Sequence, residues 1–387
     1  MQLHHRRGVR RHRRSRHLLN GSTMVSLFGQ HFTRMELFRR IGRLEQVAGI
    51  IPGSYDDGPE RSVRYLDLRS GGGLEARVMV DRGFDIGELR FNGLPLSWRS
   101  ANGFRAPGLH IAEEEKGAGL LRSMDGMMVT CGLDHVRGAA EGPASHFGPR
   151  RESAQYPLHG RISQTPARFL GQGETWEGDD CRFYCEGAVR QSMMYGETLE
   201  LRRRIEMPLG GATLTIIDQI RNAGYRPTPH MQLYHLNFGF PLLDAGAALL
   251  LPPGREPRPD THTAFLRQQG PFAEAVDEIL EVNPLPGPNG RVSAALVNAT
   301  LGSGLAVQVE YDASTLPALQ IWRHFGPGMN VLAIEPATNR AGPRAELERG
   351  GQIRFLEPGE EIVYCLTLSV HAGAAALEQL SGRIGSP

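Results

Sequence analysis

Cysteine is scarce: there are four in 387 residues, at positions 131, 181, 185 and 365. None forms a C-x-x-C pair, so neither a disulfide framework nor a structural zinc site is indicated, and the usage fits a reducing cytoplasm. No apolar run approaches the roughly 20 residues that span a bilayer, so no membrane partner is expected. The glycine run Gly71-Gly72-Gly73 lacks a following Lys-Ser/Thr and is a turn, not a phosphate loop. A G-x-S-x-G elbow, an H-E-x-x-H helix and a G-x-G-x-x-G turn in a βαβ setting are all missing, which removes the common signatures of serine hydrolases, zinc peptidases and dinucleotide enzymes. Helical periodicity is nearly absent between the two ends of the chain.

Acidic residues are missing from the first 23 positions, which hold seven arginines; the net charge of +1 therefore conceals an acidic body behind a basic tail. The tail lacks periodicity and is expected to be disordered. Leu18-Leu19 is too short for a 7–15-residue apolar signal core. We expect translation to start at Met24 and no nucleic-acid partner. Residues 24–387 show no repeat and no shift in composition, so a single domain is expected.

Glycine and proline are abundant, at 48 and 26, and the turns they imply favour an all-β sandwich or barrel. Thr33-Arg34-Met35-Glu36 reads as a capping box opening a short helix over 34–41. Period-two alternation predicts strands at 63–68, 74–80, 199–205, 214–220, 305–310, 319–325, 330–335 and 361–370. Asn92-Gly93 and Gly210-Gly211 read as hairpin turns. Residues 100–160 and 252–293 are expected to be long loops with functional roles.

Three segments set ionisable groups in apolar surroundings. Glu335 closes the run Val331-Leu332-Ala333-Ile334 and shares a face with Val331 and Ala333. His235 and Asn237 share one strand face while Tyr234, Leu236 and Phe238 take the other. His159 and Arg161 have the same spacing if extended, with Gly160 permitting a bend. Gln320, Trp322 and His324 put an aromatic between polar groups, as the C–H face of a sugar ring requires. A carboxylate and two imidazoles brought together in this way can transfer protons near neutral pH. Each group also has a bland reading: a satisfied core histidine, an edge glutamate, a surface cation pair, or half-core packing.

Leu158-His159-Gly160, Tyr234-His235 and Ile334-Glu335 resemble, in order and spacing, the galactose mutarotase (aldose 1-epimerase) superfamily. Asp81–Gly87, Thr130–His135, Leu158–Ser163 and Ile334–Asn339 look like a divergent branch of it. The resemblance implies a large antiparallel β-sandwich with an open sugar cleft, interconverting α and β anomers without metal or organic cofactor. It implies Glu335 as general base, His235 as general acid, His159 as a substrate hydrogen-bonding group and Arg82 as an anchor for hydroxyls. Three departures stand out: Arg161 where the superfamily has a second glycine, Asn237 two residues after the second histidine, and no clear acidic sugar-reading residue, for which Asp134 and Asp244 are candidates. Arg161 suggests an acidic or phosphorylated sugar. The expected partner is a small-molecule sugar, contacted by Arg82, Arg161, Asn237, Asp134, Gln320 and Trp322. Two alternatives stay open: a cupin-like isomerase binding metal through the two histidines and Glu335, and a non-catalytic sugar-binding protein.

Overall fold

A computed structural model of the chain describes residues 24–144, 146–148, 151–255 and 275–384. The basic tail and much of the second predicted loop lie outside these residues. The architecture is a large antiparallel β-sandwich. An eight-stranded sheet contains Arg168–Glu177, Asp180–Ser192, Thr198–Pro208, Thr213–Asn222, Glu361–Ala372, Leu305–Asp312, Arg291–Asn298 and Ala247–Leu250, in that spatial order. A five-stranded sheet runs Glu278–Val282, Ala318–Gly326, Met329–Ala337, Leu233–Phe238, Met128–Cys131, and a second five-stranded sheet covers Gly49–Pro95.

The local chemistry explains several elements. The Thr33 hydroxyl accepts from the Glu36 amide (3.2 Å) and Glu36 accepts from the Thr33 amide (2.9 Å). The helix they open, Arg34–Phe38, is shorter than predicted, because Phe38 turns outward onto Trp176 while Leu37 alone is buried. Asn92 and Gly93 take the positive φ values of 49° and 81° that a two-residue hairpin turn demands. Every predicted strand is present.

One continuous core joins the sheets. It takes Tyr234, Leu236, Phe238, Leu332, Ile334, Leu319 and Ile321 from the first five-stranded sheet and Leu201, Ile216, Leu296, Val309 and Leu368 from the eight-stranded one. The other face of the five-stranded sheet is therefore the one that can carry polar groups. The two predicted loops are not loops throughout: each contributes an edge strand of this sheet, Met128–Cys131 and Glu278–Val282. No helix among the described residues is long and apolar enough to cross a membrane.

Candidate active site

The register of the five-stranded sheet assembles the site. Glu281 stands opposite Gln320, and Gln320 opposite Glu335. Leu236 pairs with Ile334 and Leu233 with Ala337, which sets His235 at the same rung as Glu335. Four strands thus deliver Glu281, Gln320, Glu335 and His235 as one row on the face away from the core. The next row on that face is Trp322, Ala333 and Asn237.

His235 Nε2 and Glu335 Oε1 are 3.2 Å apart, and both side chains are buried. Everything around them is fixed from outside. Asn237 Nδ2 donates to the Gly126 carbonyl (3.0 Å), which turns Oδ1 toward His235 Nδ1 at 2.5 Å. Nδ1 therefore carries a proton and Nε2 faces the carboxylate. On the other side, Arg137 donates to Gln320 Oε1 (2.9 Å), so the Gln320 amide must donate through Nε2 to Glu335 Oε2 (3.0 Å). With Nδ1 and Oε2 committed, the pair has two reactive atoms, Nε2 and Oε1. They touch off the hydrogen-bond axis, so Oε1, although buried, has no hydrogen bond.

Electrostatics follows from burial. Desolvation pushes the Glu335 carboxyl up to about 8, against the opposing charge of Arg137. The same cause drives the His235 imidazole down to about 4, against its hydrogen bond to Asn237. In the intervening range the pair as a whole holds one titrating proton.

His159 completes the group. Its ring meets His235 edge to face, with centroids 5.5 Å apart, and Trp322 lies at the same centroid separation from His235. His159 Nδ1 accepts from the Arg137 amide (3.3 Å), leaving Nε2 as a donor. Burial, then the nearby His235, hold its imidazole well below the usual range, so it is a neutral donor. Its backbone is left-handed (φ 59°), tied by its amide to the Arg137 carbonyl and by its carbonyl to the Gly132 amide. Gly160 follows at φ 78°, where a Cβ would lie 2.1 Å from the Gly132 oxygen; only glycine fits that approach.

His235, Glu335, His159, Asn237, Gln320 and Trp322 therefore come together. Three other predicted contacts do not join them. Arg82 is buried and donates to the carbonyls of Arg105 (2.7 Å) and Ser123 (2.5 Å). An extended chain would set Arg161 on one face with His159, but the left-handed turn at 159–160 redirects it to Glu113 and the Gln155 carbonyl. With that pairing, the reason to expect an acidic sugar disappears. Asp134 is fully buried and bound by Gln191 (2.7 Å). The metal-centred alternative meets a geometric obstacle: among the described residues, the metal-ligating types whose donor atoms converge are Asp134, His146 and Glu197, not His159, His235 and Glu335.

Sequence reasoning missed Arg137. Besides Gln320 it donates to the Asn339 carbonyl (2.8 Å) and reaches Glu281 (3.4 Å). Those partners lie far away in the chain, and no local pattern marks an arginine beside Gly138.

Solved structures share this fold. A Klebsiella pneumoniae protein whose assignment as an aldose 1-epimerase is itself provisional superposes with a TM-score of 0.76 at 23% identity, over 87% of this chain and 86% of its own. A galactose mutarotase-like protein from Clostridium acetobutylicum gives 0.58 at 14% identity, over 84% and 99%. A galactose 1-epimerase from Lactobacillus acidophilus gives 0.52 at 14%, over 84% and 100%. At these identities the likeness establishes the galactose mutarotase-like fold. No curated protein matches the chain. Residues 60–370 match the family model described as "Domain of unknown function (DUF4432)", and the chain belongs to that family.

Proposed function

We propose that this protein is a sugar 1-epimerase, interconverting the α and β anomers of an aldose by acid–base ring opening at His235 and Glu335. The observation that carries the reading is the buried pair itself, held by Asn237 and Gln320 with Nε2 and Oε1 3.2 Å apart and Oε1 left without a hydrogen bond. Sugar hydroxyls entering the site solvate the carboxylate and favour its ionised form, with the proton on His235. Glu335 Oε1 then takes the proton of the anomeric hydroxyl while His235 Nε2 gives one to the ring oxygen; the C1–O5 bond breaks and the C1 carbonyl forms. Rotation about C1–C2 exposes the other carbonyl face. Closure returns the Glu335 proton to O1 and the O5 proton to His235. His159 Nε2–H holds a sugar oxygen, and Trp322 offers its ring to the apolar face of the sugar.

Polarimetry of freshly dissolved single anomers tests this, across neutral aldoses, uronic acids and sugar phosphates. At least one sugar is expected to equilibrate in proportion to protein concentration. If every sugar that binds equilibrates at the buffer rate, the protein is a binding protein and the proposal fails.

The pH profile is a second expectation. Below about pH 4 the pair gains a second proton and lacks a base; above about pH 8 it has lost its only proton and lacks an acid. The rate should form a plateau between these limits. Arg137→Met removes the charge that opposes the rise at Glu335, so the alkaline limb should move to higher pH.

A further inference from the structure

A second cluster of buried ionisable groups lies behind the loop that carries Arg137. Asp134 follows the strand Met128–Cys131, His146 lies between the strands Ala140–Pro143 and Ser153–Tyr156, and Glu197 precedes Thr198–Pro208. All three are at most 3% exposed. One donor atom from each falls within 4.8 Å of the others.

The hydrogen bonds around the cluster are arranged in an informative way. Gln191 Nε2 donates to Asp134 Oδ1 (2.7 Å) and to Glu197 Oε1 (3.1 Å). Its own Oε1 accepts from the Leu133 amide (2.9 Å), which fixes the orientation of the amide. One side chain thus ties down a single oxygen of each carboxylate. The other oxygens, Asp134 Oδ2 and Glu197 Oε2, have no partner, and neither ring nitrogen of His146 has one. Arg344 does not supply it: its Nη1 goes to the Asp134 carbonyl (2.5 Å) and His135 Nδ1 (3.3 Å), and its Nε and Nη2 are themselves unpartnered. Buried polar atoms left bare in this way are costly, and the Asp134 carboxylate repels that of Glu197.

We propose that Asp134 Oδ2, Glu197 Oε2 and a ring nitrogen of His146 bind a divalent transition metal, with Zn²⁺ the best fit. Two carboxylate oxygens and an imidazole are a zinc donor set at about 2.0–2.2 Å from the metal, which brings donors to roughly 3.4 Å of one another; side-chain rotation closes the remaining gap. Gln191 plays the outer part, orienting both carboxylates as hydrogen-bonded neighbours of ligands do. The metal would join three distant segments and brace the turn from Gly132 to Gly138, against which His159 is held. Its role is structural, and the inference does not depend on the epimerase reading.

Zn²⁺ titration of chelator-stripped full-length protein against a competing indicator tests it, with Glu197→Gln and His146→Asn as comparisons. The tail contains His4, His5, His12 and His17, and any zinc they bind is common to all variants. Wild type should hold one equivalent more than either variant and gain melting temperature with Zn²⁺; Gln191→Leu should bind that equivalent roughly 10–100-fold more weakly. Co²⁺ in the same site should give visible d–d absorption that Glu197→Gln abolishes. Equal zinc stoichiometry in wild type and both variants, or no zinc-dependent rise in melting temperature, overturns the proposal. If one variant fails to fold, the other decides.

Discussion

Replacing Arg203 by methionine should destabilise the protein by about 3–5 kcal/mol, read as a lower urea midpoint with the transition slope retained. Arg203 is fully buried and pairs through two nitrogens with Asp218 (2.7 and 2.6 Å) and through a third with Asp85 (2.5 Å), while also donating to the Thr130 hydroxyl (2.8 Å). Thr130 returns its amide to Asp85 (2.9 Å), and the Tyr234 hydroxyl donates to Asp218 (2.8 Å). The network ties all three large sheets together directly behind the strand that carries His235. Burial raises the Asp85 carboxyl, and Arg203 is the chief force holding it down. Methionine fills the space and leaves two buried carboxylates without a cation, which is where the cost arises. Adding Asp218→Leu and Asp85→Leu should recover much of the loss, since an apolar replacement of the whole group leaves no charge stranded. A single substitution as mild as an exposed arginine would show that the charges are solvated.

Glu335→Gln should reduce catalysed anomer exchange by about 10²–10⁴-fold, the range for loss of one positioned acid–base group. Glutamine can keep the contact with Gln320 through its own carbonyl oxygen, but it cannot take the O1 proton. The variant should still bind sugar. It should also be at least as stable as wild type at pH 8–9. The folded carboxyl titrates at about 8 against an ordinary 4.5. Its raised pKa contributes stability that is fully present below about pH 4.5 and lost as the pH rises through about 8, and glutamine has no such loss. A fall in activity accompanied by a lower melting temperature would instead mark Glu335 as a structural residue.

The sequence revealed the site strands because alternation is local information. The two-residue spacing of His235 and Asn237, of Gln320 and Trp322, and of Ala333 and Glu335 is enough to put each pair on one face once the strand is recognised. What alternation cannot carry is register. That Gln320 meets Glu335, and that His235 stands across from it, depends on pairings between segments up to a hundred residues apart. The edge strands Met128–Cys131 and Glu278–Val282 escaped notice because each is short and embedded in glycine- or proline-rich chain. Arg161 shows the reverse failure: an extended reading of His159–Arg161 was reasonable, but two consecutive left-handed residues break it. Arg137 and the cluster of Asp134, His146 and Glu197 were invisible for one reason. Their partners are assembled by loops, where no period links residue identity to direction.

The most direct measurement is saturation transfer between the α and β anomeric protons of an aldose held at anomeric equilibrium with the protein. Wild type should transfer magnetisation between the two signals at a rate proportional to its concentration, and the doubly substituted His235→Gln, Glu335→Gln protein, folded and still binding sugar, should not. Transfer that persists in the double variant, or its absence with wild type for every sugar that binds, would contradict the account.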